Sequence, residues 1–135
     1  MIRAELYSPV DTNRLESRLI RGLKTRGYSI LEITDYSSYE VFKEGKFVPV
    51  KNGLDYHIKP LADTDNGITI NMLFKLGYDE ATRTVRYFDK LVDMIQIIDK
   101  NDSSSHKEKL AGMLDEILAE LCIKNKITMH ADNSK

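Results

Sequence analysis

The chain reads as an α+β domain, an antiparallel meander sheet of about five to six strands with helices packed on one face, in the order β-α-β-β-β-β-β-α-α. Three observations predict it. Ile68, Ile70, Met72, Phe74 and Leu76 recur at every second position, the signature of a strand with one buried face. The strand candidates before them are joined by short connections, which favours a meander. Apolar residues at helical spacing flank this region on both sides.

The elements follow in order. Ile2, Ala4 and Leu6 alternate with Arg3, Glu5 and Tyr7, so a short strand is expected before Ser8-Pro9 breaks it. Asp11 or Thr12 can cap a helix running to about Arg26, with Gly27 as its stop. Leu15, Leu19, Ile20 and Leu23 form its apolar side, and Gly22 inside it suggests a close contact with the sheet. Strands are expected at 28–34, 39–43, 46–50 and 54–59, with Glu44-Gly45 as a turn and Asn52-Gly53 as a hairpin signal requiring positive φ. Pro60 ends the last of these or places it near an edge. A loop at 63–67 precedes the alternating strand.

The C-terminal third is expected to be a helical hairpin over 79–123. Ala81, Val85, Phe88, Val92 and Ile95 make one stripe, and Tyr87, Leu91, Met94 and Ile98 a second beside it. Together they predict a helix from Asp79 to about Asp99 that is apolar over half its circumference. Ser105-His106-Lys107-Glu108 matches a capping box, and Leu110, Leu114, Ile117 and Leu121 line a last helix to about Ile123. Residues 1–124 are read as one domain and 125–135 as a polar, frayed tail. This element order resembles the helix-grip arrangement, in which a curved sheet wraps a long C-terminal helix around a cavity. The resemblance is one of order, with no residue motif.

Composition narrows the function classes. The chain has 20 basic and 21 acidic residues among 135, a formal charge of −1, so no overall field draws it to nucleic acid or anionic membrane. The single cysteine, Cys122, excludes an internal disulfide and a multi-cysteine zinc site, and its place on the apolar side of the last helix reads as a small core residue. No apolar run approaches the length of a membrane span, and no leader pattern opens the sequence. The expectation is a cytoplasmic protein without cofactor or metal.

Candidate site residues fall into three groups. Arg14, Arg18, Arg21 and Lys24 share about a third of the first helix, a basic stripe that could meet an anion or an acidic partner, or simply be its solvated face. Asp55 and His57 share a strand face and could act as an acid–base pair if that face lined a cleft, with Glu32 joining from a neighbouring strand. The stripe Tyr87, Leu91, Met94 and Ile98, with Leu110 and Leu114, is a candidate interface. Asp63-Thr64-Asp65-Asn66-Gly67 fails calcium-loop spacing and reads as turn chemistry. No phosphate loop and no nucleophile elbow is present. The aromatics at 28, 36, 39, 42, 47 and 56 alternate onto both strand faces and read as cross-strand packing.

The first expectation is therefore a non-enzymatic protein-binding or regulatory module that self-associates as a homodimer through its C-terminal helices. The alternatives are a small-ligand binder or enzyme with a pocket between sheet and long helix, lined by Ile70, Met72 and Phe74, and a weak nucleic-acid binder through the first helix.

Overall fold

The computed structural model describes residues 1–36, 40–49, 53–61, 67–79, 84–100 and 104–129. The elements are β1 (Ile2–Asp11), α1 (Thr12–Thr25), β2 (Tyr28–Tyr36), β3 (Glu40–Lys43), β4 (Lys46–Pro49), β5 (Gly53–Pro60), β6 (Ile68–Asp79), β7 (Thr84–Asp99), α2 (Ser104–Glu120) and β8 (Asn125–Met129). The α+β class holds, and the first seven elements come in the expected order. β2, β5, β6, β7, β1 and β8 form a six-stranded sheet in that order, and β3 with β4 forms a separate two-stranded hairpin. Every pairing in the large sheet is antiparallel. Only β5, β6 and β7 make a simple meander; β1 sits between β7 and β8.

The span from Asp79 to Asp99 is a correction. It continues β6 into β7 rather than forming a helix, so neither the helical hairpin nor the helix-grip arrangement is present. The reason lies in the register. β7 slips against β6 between Leu73↔Met94 and Phe74↔Val92. Such an irregularity adds a residue to one strand. Val92 and Ile95 are thereby both buried although three positions apart, a spacing that imitates a helix. Ile97 continues the buried face, while Met94 and Ile98 lie half-buried on the other. Apolar residues on both faces of a central strand look, at 100° per residue, like a broad helical stripe.

A second correction concerns the end of the chain. Residues 125–129, expected as tail, are β8, paired from Ile2↔Met129 to Leu6↔Asn125. Residues 130–135 lie outside the described residues. The asparagine-glycine hairpin signal is a third. Both residues of the Glu44-Gly45 turn have positive φ, 52° and 81°, so the turn of that type joins β3 to β4. Gly53 instead opens β5, where a Cβ would stand 1.9 Å from the Met72 carbonyl oxygen. Asn52 and the loop residues 63–66 lie outside the described residues.

One face of the sheet carries the core. Ile2 and Ala4 of β1, Ile95 and Ile97 of β7, Ile70 and Met72 of β6, and Tyr56 and Ile58 of β5 are buried together. Leu15, Leu19 and Leu23 of α1 and Leu110, Met113, Leu114, Ile117 and Leu118 of α2 close over them. Burial of each large aliphatic side chain contributes about 1.5–3 kcal/mol relative to exposure. Ile70, Met72 and Phe74, expected around a ligand pocket, belong to this packed core.

The helices are set by their ends and by one glycine. The Asp11 carboxylate accepts from the Asn13 N–H at 2.8 Å, capping α1. Gly27, at φ 84°, ends it. Gly22 faces α2, where a Cβ would meet Met113 and Ile117 at 3.2 Å; the close approach is to the second helix, not to the sheet. α2 ends with Ile123 N–H donating to the Leu118 carbonyl and Cys122 N–H to that of Ala119. Those bonds define a Schellman motif, with Cys122 in the left-handed position at φ 57°. Cys122 is exposed rather than a core residue.

Candidate functional site

Strand pairing places the expected acid–base residues on the sheet face away from the helices. Arg3, Gln96, Asn71, Asp55 and Thr34 form one row across β1, β7, β6, β5 and β2. In the next row Thr69, His57 and Glu32 are neighbours. Asp55, His57 and Glu32 are thus brought to one face. Asp55 and His57 also have polar partners on neighbouring strands. The Asn71 amide donates to Asp55 Oδ1 at 2.5 Å. His57 has Thr34 Oγ1 at 3.3 Å from Nε2 and Thr69 Oγ1 at 3.3 Å from Nδ1.

A neutral imidazole has one donor and one acceptor, and a hydroxyl can complement either. The two threonines therefore serve either tautomer of His57, and among the described residues its ring nitrogens meet hydroxyls rather than a carboxylate. Asn71 is 4% exposed and Gln96 9%. Buried amides need partners, and the bond from Asn71 to Asp55 supplies one within this polar ladder. Arg3 Nε, in the same row, is buried with no hydrogen-bond partner among the described residues. No cluster of three or more metal-ligating side chains occurs among the described residues.

The basic stripe of α1 lies along α2. Arg14 donates to the Leu121 carbonyl at 2.9 Å, Arg18 pairs with Glu120 at 2.7 Å, and Arg26 pairs with Glu116. Arg14 thereby satisfies a carbonyl at the end of α2, where a cation is favoured. Arg21 and Lys24 remain exposed. A cleft of 270 Å³ between the helices is lined by Arg18, Arg21, Thr25 and Arg26 and also by Glu116 and Glu120. An anion entering it meets those two carboxylates.

Of the expected interface, Leu110 and Leu114 are in the core at 1% exposure. Leu91, Met94 and Ile98 are half-buried on β7; the side chain of Tyr87 lies outside the described residues. The apolar surface is elsewhere. β2 ends the strand order, and Leu31, Ile33 and Leu61 are 53%, 45% and 67% exposed at that edge. Ile20, Lys24, Tyr28, Ser29, Ile30, Ile33 and Leu61 line a groove of 480 Å³ between α1 and β2. A register shift between Ile30 and Glu32 makes Leu31 the extra residue of β2. The sequence marked these residues as strand but carried no sign that the strand was terminal, because the order within a sheet is set by distant pairings.

Three groups have displaced acidities. The Tyr28 hydroxyl, 2.7 Å from His106 Nδ1, is held neutral above the ordinary range by burial and then by Asp99. The Tyr56 hydroxyl, which donates to Glu16 Oε2 at 2.5 Å, is pushed up strongly by burial, then by that bond and charge. Burial raises Asp93 against the opposing pull of Lys75. The two tyrosines tie β2 to α2 and β5 to α1, so these shifts belong to the scaffold.

Comparison with family models, with curated proteins and with solved structures finds no match to this chain. No helix among the described residues is long and apolar enough to cross a membrane.

Proposed function

We propose that the protein is a non-enzymatic binding module that accepts an extended segment of a partner protein along β2. The observation that carries this reading is the groove between α1 and β2. It joins exposed apolar side chains to the outward backbone of a terminal strand. Such an edge offers a row of N–H and C=O groups to another strand, and side-chain pockets beside it supply selectivity. The surface expected at residues 79–123 has less to offer, since Leu110 and Leu114 are spent in the core. Against acid–base catalysis, His57 lies between two threonine hydroxyls and Asp55 accepts from the Asn71 amide.

The test is selection from a displayed library of random nine-residue peptides, followed by amide hydrogen exchange. Selected peptides are expected to slow exchange in 28–34 and to lose binding in Ile33→Asp and Leu61→Asp. Both positions are exposed, so the variants are expected to fold. Selected peptides that protect other segments, or a library without binders, would overturn the reading.

A further inference from the structure

The two ends of the sheet differ in charge and match in pattern. β8, the other terminal strand, carries Lys126 within it and Lys124 just before it, with no acid. β2 carries Glu32 in the middle of the strand, and it contains no lysine or arginine. Two β2 edges brought together would oppose like charges, and so would two β8 edges. Charged residues on edges ordinarily discourage pairing. Guards of opposite sign discourage β2 with β2 and β8 with β8, but leave β2 with β8 open.

The faces agree as well. Register partners share a face of an antiparallel sheet. Ile127 and Met129 lie opposite the core residues Ala4 and Ile2, so they belong to the helix side. Ile30 and Ile33 lie on the same side, opposite Ile58 and Tyr56. Lys126 lies opposite Glu5, and Glu32 opposite His57, both on the other side. Strand direction agrees too. Six strands alternate without exception, so β8 runs opposite to β2. A second copy that continues the sheet with its helices on the same side therefore presents β8 antiparallel to β2. Apolar residues then meet on the helix side, and Lys126 meets Glu32 on the other.

From these matches we infer that the occupant of the β2 edge is β8 of a second copy of this chain, so that copies join head to tail through one continuous sheet. The exposed side chain of Met129 reaches toward the groove lined by Ile20, Ile30, Ile33 and Leu61. Such a junction is heterologous, and it builds a ring if the rotation closes or an open fibre if it does not. This inference rests on the reading of β2 as a docking edge and names its partner.

The test is sedimentation velocity of the full chain from micromolar to submillimolar concentration. Concentration-dependent association is expected, and it weakens with salt. Glu32→Lys alone and Lys126→Glu alone each replace an attraction by a repulsion and are expected to weaken association about tenfold. An equimolar mixture of the two variants restores it, because each then offers the other an opposite charge at both junctions. Both positions are at the surface, and circular dichroism confirms that each variant is folded. A chain that sediments as a monomer throughout overturns the inference, as does association indifferent to both swaps or a mixture that fails to recover. Library peptides that protect β2 in a strictly monomeric chain would sink this inference alone. Their absence would sink the docking reading with it.

Discussion

Gly22 of α1 stands against Met113 of α2 so closely that a Cβ there would lie 3.2 Å from the Met113 Cγ and Sδ. Two effects oppose each other at this position. Alanine is favoured over glycine in a helix by about 1 kcal/mol, while the contact requires Met113 and Ile117 to yield by a few tenths of an ångström. Gly22→Ala is therefore expected within about 1 kcal/mol of the parent. Gly22→Leu has no such compensation and should cost about 1–3 kcal/mol. Urea denaturation measures both, and a stable leucine variant would contradict the packing described.

Cys122 holds a conformation that glycine adopts without strain. Cys122→Gly is expected to stabilise the protein by about 0.5–1 kcal/mol, and Cys122→Val to destabilise it by at least as much. The readout is the urea midpoint at constant slope. A destabilised glycine variant would mean that the sulfur makes a contact worth more than the strain.

Tyr28 and Tyr56 should resist alkali. Both hydroxyls are raised above the ordinary value of 10.0, so the folded chain keeps protons that the unfolded chain loses. Stability is then fully present below that pH and falls as pH rises above it. Ultraviolet titration is expected to show the Tyr28 and Tyr56 hydroxyls ionising only as the fold is lost. Tyr56→Phe should flatten the decline of stability above pH 10.0. A decline equally steep in that variant would assign the effect to other groups.

The bond between Asp55 and Asn71 gives a test of the polar ladder. Asp55→Ala leaves a nearly buried amide without this acceptor and should cost about 1–3 kcal/mol. His57→Gln retains a donor and an acceptor and should cost less. The opposite order, measured by thermal unfolding, would place the structural weight on the imidazole.

Much of the fold is legible in the sequence because it is local. The Asp11 cap, the stop at Gly27 and the alternation from Ile68 need only neighbouring residues to be recognised. Residues 84–99 imitate a helix for a physical reason: a register slip breaks period 2 at Val92–Ile95, and apolar residues lie on both faces of the strand. β8 is hidden because Asn125–Met129 is short and polar enough to pass for tail, and its partner β1 is more than a hundred residues away in sequence. The same limit hid the groove beside β2. Glu32, Asp55 and His57 could be assigned to faces from alternation alone. Their partners Thr34, Thr69 and Asn71 required the register.

The place of β1 between β7 and β8 has a consequence for synthesis. Ile2 pairs with Ile97 and with Met129, so β1 must wait for two strands made long after it. Loops of that length close slowly, and until they close the apolar side of β1 has no lasting cover. A ribosome-bound chain carrying residues 1–79 holds β5 and β6 ready to pair, yet β1 has no neighbour in the sheet. The sheet is therefore completed only once β8 has been made, however early β5 and β6 pair.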